Sequence, residues 1–304
     1  MTTSPSFHEP VLLKEAVDLL VTETDGIYID GTLGGGGHSR EILSRLDDQG
    51  LLFGIDQDEE AIKTAEQRIG NDSRFKTVYG NFGYMDVLLP PETRGNISGI
   101  LLDLGVSSHQ IDTPDRGFSF QQEAPLDMRM GKFTGITAQK IVNEYDLDKL
   151  KNILYKYGEE KKSGRIARAI VENRPISTTS ELRKIVESIV KGRHATKSVA
   201  RVFQAIRIEV NRELEMLENA LMAGLTLLKP GGRYVVISYH SLEDRIVKNF
   251  FKSGNLEGKI KKDLYGNILS EIEMLNRKVI TASDEEIARN PRARSAKLRV
   301  AIKS

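Results

Sequence analysis

The chain contains no cysteine. That excludes disulfides, thiolate nucleophiles and cysteine-ligated zinc. Its five histidines show no HExxH spacing, since His8-Glu9 runs on into Pro-Val-Leu, and no other pattern suggests a metal site. No apolar run approaches the ~20 residues of a membrane helix. The opening MTTSPSFHEP lacks both the apolar core and the basic flank of a signal peptide. These absences lead to the expectation of a soluble, cytoplasmic protein with no membrane partner. There is no internal repeat and no low-complexity tract, and 304 residues suit one large or two ordinary domains.

Net charge is nearly absent, at +1, yet its distribution along the chain is uneven. Lys161 to Arg212 holds thirteen Lys and Arg against four acids, an excess of nine positive charges in a chain that is otherwise eight negative. Solvated helices explain most charge runs. A one-signed excess of this size points instead to a polyanion, most often nucleic acid. Phe203 is the only aromatic residue in that segment, so phosphate contact and shape outweigh base stacking there.

What the chain has in plenty is glycine at one place. Ile27-Tyr28-Ile29 reads as a strand ending in Asp30, and Gly31, Gly34, Gly35, Gly36 and Gly37 follow within seven residues. A helix is expected from His38 or Ser39. Glycine lets backbone turn sharply and lets a ligand lie on it, and the helix start adds unpaired N–H groups and a positive dipole end. A phosphate-gripping P-loop would need Gly-Lys-Ser/Thr after Gly31 and four residues, and Gly36-Gly37-His38 supplies no lysine. The dinucleotide fingerprint would put Ser39 where its third glycine belongs. Instead Asp30, Thr32, Gly34 and Gly36 fall at every second position. That resembles the first motif of S-adenosylmethionine-dependent methyltransferases, acid-x-Gly-x-Gly-x-Gly, with Thr32 in place of the first glycine. A β-branched residue at Gly36 is accordingly expected to fill ligand space and abolish cofactor binding with the fold mostly intact.

Leu51 to Ile55 reads as a second strand ending in Asp56, twenty residues after Gly36. A carboxylate at that tip can accept hydrogen bonds from both ribose hydroxyls. The pair of glycine loop and Asp56 does not separate an adenosyl cofactor from NAD. Asp58 to Ile69 has helical spacing, with Asp58 as N-cap and Glu59 and Glu60 in the first turn. Phe75 to Tyr79 and Gly99 to Leu102 read as further strands, the latter ending at Asp103. The strand pattern then stops. Thr113 to Arg129 reads as an ordered loop containing RGFSF. From about Ala138 to Leu228 every periodic segment looks helical, closing with one long helix whose stripe is Val202, Phe203, Ile206, Val210, Leu214, Leu217 and Leu221. Pro230-Gly231-Gly232 breaks it. A buried strand, Tyr234 to Ile237, and an alternating strand, Lys297 to Lys303, resume the sheet.

The fold expected is α/β, a class I, Rossmann-like methyltransferase sheet interrupted by a helical insert. The cofactor domain is discontinuous, 1–112 and 210–304, and the substrate-recognition insert is 113–209. Such an insert would sit over the carboxyl ends of the strands, where ligands of open α/β sheets bind.

Together the segments resemble one family, the bacterial 16S rRNA (cytosine-N4)-methyltransferases. The resemblance spans nearly the whole chain: HEPVLLKEAV (8–17), YIDGTLGGGGHSREIL (28–43), GIDQDEEAI (54–62), LLDLGVSSHQID (101–112), PLDMRM (125–130), RIARAIV (165–171), RVFQAIRIEVNREL (201–214), PGGRYVVISYHSLEDRIVKNFF (230–251) and NPRARSAKLR (290–299). Only Ser253 to Arg289 is vague. The resemblance implies S-adenosylmethionine as cofactor, 16S rRNA in the small ribosomal subunit as partner, and methylation of a cytidine N4 amine in the decoding region. It also implies cofactor contacts at Gly36, Gly37, His38, Asp56, Phe82, Asp103 and Gln110. Each has a plainer use: His38 as a helix cap, Phe82 as core, Gln110 as a loop residue. Asp103 follows a buried strand, where an unpaired carboxylate is costly. His109, His194 and His240 are expected to be structural. Phe118, Phe120, Met128 and Met130 either shape the substrate pocket or plug the loop.

One departure concerns catalysis. Many amino-methylating enzymes carry Asp/Asn-Pro-Pro-Tyr/Phe after the fourth strand, and this chain has Asp103-Leu104-Gly105-Val106. No catalytic base is therefore assigned. Two rivals stand beside this reading: a non-catalytic RNA-binding protein that keeps an adenosyl pocket, and an NAD-dependent oxidoreductase. The sequence leaves the oligomeric state, including a homodimer, open.

Overall fold

Short, largely apolar runs, three of them ending in aspartate, build the sheet. In the computed structural model, which describes residues 10–107, 110, 113–131, 135–266 and 269–304, they form β1 (Ile27–Asp30), β2 (Leu51–Asp56), β3 (Phe75–Tyr79), β4 (Ile97–Asp103), β5 (Leu228–Ser238), β6 (Ile272–Met274) and β7 (Lys297–Lys303). His8, Glu9 and His109 lie outside the described residues. The strand order is β3-β2-β1-β4-β5-β7-β6. β1 to β5 are parallel, and β7 runs antiparallel between β5 and β6. This is the class I methyltransferase sheet. The order reverses between β1 and β4, so their carboxyl ends open the crevice that α/β proteins use for ligands.

Two units divide the chain: Met1–Gly105 with Leu214–Ser304, and Val106–Glu213. The first holds the sheet, α1 (Leu13–Leu20), α2 (Gly37–Arg45), α3 (Glu59–Ile69) and α4 (Met85–Leu88). Both sheet faces are covered. Ile29, Ile55, Ile100, Leu102, Tyr234 and Val236 pack on one side, and Tyr28, Leu52, Leu101, Val235 and Ile237 on the other. Burial on both faces explains why these strands read as continuous apolar runs. Each such side chain contributes roughly 1.5–3 kcal/mol by leaving water. β5 begins earlier than expected: Leu228 already pairs with Ile97, and the next pair is Arg233 with Gly99. Lys229 to Gly232 bulges out of the ladder, with Gly231 at φ 82°, so the Pro-Gly-Gly sits inside the strand rather than before it.

The second unit contributes α5 (Ala138–Glu144), α6 (Leu147–Lys156), α7 (Ser163–Glu172), α8 (Thr179–Ile189) and α9 (Ala195–Asn211); α10 (Glu213–Leu227) leads back to the first. Leu150, Ile166, Ile170, Leu182, Val186, Val202, Phe203 and Ile206 form its own core. The single long helix of the apolar stripe is a misreading. Arg212 adopts φ 51° in the left-handed region and closes α9, its N–H bonding Ile208 O. Asn211 just before it turns inward: its Nδ2 donates to Met128 O at 2.8 Å, and its Oδ1 accepts from Met130 N–H at 2.8 Å. These two bonds tie the end of the 113–131 loop to α9. Met128 belongs to the core of this unit, Phe118 packs on it, and Phe120 meets Phe203 edge to face at 5.4 Å. These residues plug the loop.

After β5, α11 (Ser241–Ser253) packs Phe250 and Phe251 into the first core, and α12 (Asp284–Arg289) follows β6. Among the described residues no helix is long and apolar enough to cross a membrane.

Candidate cofactor-binding site

The site is built at the carboxyl tips of β1, β2 and β4, each of which ends in aspartate. Asp30, at the tip of β1, is buried. It accepts from Ser39 Oγ at 2.7 Å and from Thr32 N–H at 3.2 Å, so it clamps the glycine turn to the first turn of α2. Burial holds its carboxyl above the usual range, with His38 and Ser39 pulling the other way.

Asp56 fixes the same turn from the second strand. Its Oδ2 accepts from Gly34 N–H at 2.8 Å and its Oδ1 from Asp58 N–H at 2.9 Å. Leu33 N–H adds a bond to Ile55 O at 3.0 Å. Each carboxylate oxygen has a second lone pair, so acceptor capacity for two hydroxyls remains. Burial lifts the Asp56 carboxyl from 3.8 to about 6 despite those two N–H donors. Asp58 caps α3 as expected, accepting from Glu60 N–H at 3.1 Å.

The glycines divide into two uses. Gly34 and Gly35 are open, with no atom closer than 3.8 Å to a Cβ built on either. Gly36 is not. It caps α2 at φ 70°, and a Cβ there would stand 2.9 Å from Ala65 Cβ on α3. Its missing side chain serves helix packing, which corrects the expectation that a larger residue would fill ligand space and spare the fold. A Cβ at Gly37 would strike Pro10 Cγ at 2.2 Å, so the N-terminal segment lies against the turn. The helix begins at Gly37, one residue before the expected start.

His38 is buried on α2. Its Nε2 lies 3.1 Å from Val11 O, and since a carbonyl only accepts, Nε2 carries a proton. Its Nδ1 lies 3.8 Å from Asp103 Oδ2. Asp103 is also the acceptor for Tyr239 Oη–H at 2.7 Å, and its own N–H donates to Thr32 Oγ1 at 2.6 Å. Burial raises its carboxyl to about 6, against the opposing pull of His38 and Tyr239. Burial and the same carboxylate hold the Tyr239 phenol above its usual range, so it stays a proton donor. Phe82 starts a short 3₁₀ turn after β3, and its Cβ would stand 3.3 Å from a Cβ at Gly31.

The structure thus places Gly36, Gly37, His38, Asp56, Phe82 and Asp103 in one unit around the strand tips. Gln110 belongs to the second unit. There it is buried, its Oε1 accepting from Ser107 N–H at 3.0 Å and its Nε2 facing Met130 O at 3.5 Å. Tyr239 and Ser39 are additions to the expected set, and Thr32, expected only as a position of the glycine motif, adds a side-chain bond to the tip of β4. The signal for Tyr239 was its place one residue past β5, next to the tip of β4. His240 caps α11 through Nδ1, within a capping box completed by Glu243. His194 precedes α9 as an exposed cap residue, 3.2 Å from Arg193 Nε.

A ligand for this cradle must offer hydroxyl donors to Asp56, a flat apolar part near Phe82, and no net negative charge. A ribose, an adenine and a cationic sulfonium or ammonium fit that donor set.

The sequence model of the MraW methylase family matches residues 5–304. The chain is 51% identical over 301 residues to ribosomal RNA small subunit methyltransferase H of Bacteroides fragilis strain YCH46, covering 98% of each. It is 47% identical over 306 residues to the protein of that name from Flavobacterium johnsoniae, covering 100% of both. With that of Azobacteroides pseudotrichonymphae it shares 49% identity over 304 residues, at 99% of each.

Proposed function

The chain belongs to the MraW methylase family, an S-adenosylmethionine-dependent rRNA methyltransferase, and we propose that its target is the exocyclic N4 amine of a cytidine in the decoding region of 16S rRNA. The two rival readings, a non-catalytic RNA binder and an NAD-dependent oxidoreductase, gain no support from that membership. The observation that carries the reading is the set of strand-tip acids around an open glycine turn: Asp56 with spare acceptor capacity and Asp103 held beside His38 and Tyr239.

Gly36, Gly37, His38, Asp56, Phe82 and Asp103 are proposed to hold the cofactor, with Gln110 as a seventh contact. Asp56 takes the ribose hydroxyls, and the backbone of Gly34 to Gly37 lies under the ligand. When bound, S-adenosylmethionine supplies a methyl group made electrophilic by its sulfonium. The N4 lone pair of cytosine is delocalised into the ring, so the protein must hold that amine in line with the methyl. Alignment then carries much of the rate. We assign Asp103 to the cofactor and no residue to the base. The segment from 113 to 209 is proposed as the substrate-recognition part, because its exposed cations suit rRNA phosphates.

The test incubates the protein with methyl-labelled S-adenosylmethionine and small subunits from a strain lacking the activity, then identifies the labelled nucleoside. N4-methylcytidine is the result expected. Label on another nucleoside overturns the target, and no label overturns the reading.

A further inference from the structure

α11 and the chain that follows it carry a surface the reading above does not use. α11 presents Arg245, Lys248, Asn249 and Lys252 outward, at the spacings of one helical face. Gly254 at φ 70° ends the helix, and the chain folds back on that face: a Cβ at Gly258 would stand 3.3 Å from Asn249 Cβ. Asn255 pins the return by donating to Lys259 O at 2.8 Å and accepting from Lys259 N–H at 3.2 Å. A finger follows. Gly266 N–H bonds Asp263 O at 3.1 Å, which makes Leu264 and Tyr265 the tip of a tight turn. Tyr265 N–H donates to Asp263 Oδ1 at 2.8 Å and stiffens that turn.

The tip has an unusual composition for solvent. Leu264 is 101% exposed and Tyr265 90%. Turn tips ordinarily carry Gly, Asn, Asp or Ser. A solvated loop accounts for the lysines but not for a bare Leu-Tyr pair. From Arg245 to Gly266 there are six Lys and Arg and two acids. Of the two acids, Glu257 already pairs with Lys259 at 3.4 Å and Asp263 is used by its own turn.

We propose that this finger and the outer face of α11 form a second RNA-binding surface, in which Lys259, Lys261 and Lys262 contact phosphates and Tyr265 stacks on an unpaired base. The inference rests on the RNA substrate proposed above and adds a contact on the sheet-bearing unit. Aromatic stacking between cations is how proteins grip single-stranded RNA, and the positive excess matches a polyanion.

The test is a filter-binding salt titration of unmethylated small-subunit rRNA against the full chain. Lys259→Glu/Lys261→Glu/Lys262→Glu should weaken binding and flatten the log–log salt slope by roughly 2, at about 0.7 per single-strand phosphate contact. Tyr265→Ala should weaken binding roughly five- to a hundredfold with the slope unchanged, and Tyr265→Phe should restore it. S-adenosylmethionine affinity should stay at the wild-type value in all variants. Unchanged RNA affinity and slope, in variants that still methylate, overturn this inference and leave the proposed function standing. Wild-type protein that retains no RNA overturns both. Loss of binding to phosphatidylserine vesicles with RNA affinity unchanged makes the finger a lipid contact and overturns it too.

Discussion

Replacing Gly36 by alanine separates two uses of the glycine run. At φ 70° a residue with a Cβ costs about 1–2 kcal/mol. The new Cβ would stand 2.9 Å from Ala65 Cβ and 3.1 Å from Ala65 Cα, so α3 or the start of α2 must move. Overpacking of that kind costs about 1–3 kcal/mol. Gly36→Ala should therefore lose about 2–5 kcal/mol of unfolding free energy. Gly36→Val should lose more, since Ile69 Cδ1 is 3.5 Å away. The steric part can be relieved and the backbone part cannot. Ala65→Gly opens the space while keeping φ at 36. In a double-mutant cycle the two changes should couple by about 1–3 kcal/mol, within the range of contacting residues. Urea unfolding of the four proteins measures this. Zero coupling, or full stability with only cofactor affinity lost, would refute the packing argument and return Gly36 to the ligand face.

Four further outcomes are expected. Asp56→Ala should weaken S-adenosylmethionine binding by about 1.5–3 kcal/mol and also destabilise the turn, because Gly34 and Asp58 N–H lose their acceptor; calorimetry with unchanged affinity removes Asp56 from the site. Asp56 and Asp103 are both raised from 3.8 to about 6, so folding favours their protonated forms and each subtracts stability as pH climbs from about 4 to 6; because cofactor binding needs them ionised, S-adenosylmethionine affinity should rise across that window and flatten above it, and a flat calorimetric profile refutes this. Tyr239→Phe removes a donor to Asp103, so the acid limb of the methyl-transfer pH profile should move upward, and an unmoved limb makes the contact idle. Replacing the exposed Lys191, Arg193 and Lys197 by Glu should flatten the salt dependence of RNA binding by roughly 0.7–0.9 per lost contact and leave S-adenosylmethionine affinity alone, whereas an unchanged slope in filter binding denies them contact with RNA.

Strand tips were legible because their signal is local. An apolar run closing on Asp30, Asp56 or Asp103 marks both a strand and a position facing the crevice. The N-cap at Asp58 and the alternation of Lys297 to Lys303 were legible for the same reason. Arg212 was not, because nothing in residues 202 to 221 interrupts the helical stripe. The break depends on Asn211 reaching a loop some eighty residues earlier in the chain, and on a left-handed residue that is not glycine. The bulge of Lys229 to Gly232 was read as a boundary, since Pro-Gly-Gly ends helices and strands alike. The Tyr239–Asp103 pair was invisible for a third reason. Its partners are 136 residues apart, and only the adjacency of β4 and β5 in the sheet brings them together.

The strand-tip acids also decide what the glycine loop and Asp56 left open between an adenosyl cofactor and NAD. A dinucleotide brings a pyrophosphate to the glycine turn. Here that turn lies among Asp30, Asp56 and Asp103, and the charge on Asp30 already works against ionising each of the other two. Two more negative charges would deepen that conflict, at interactions worth several kcal/mol where the local dielectric is low. S-adenosylmethionine sets a sulfonium and an ammonium against one carboxylate, so its net charge has the opposite sign, and its two cations have the opposite effect. They stabilise the ionised carboxylates and draw their protonation midpoints back toward the ordinary range, so that part of the cost of ionising these buried acids is offset on binding. The spacing of acids to glycines in the chain could not distinguish the two cofactors. The sign of the field that those acids make together does.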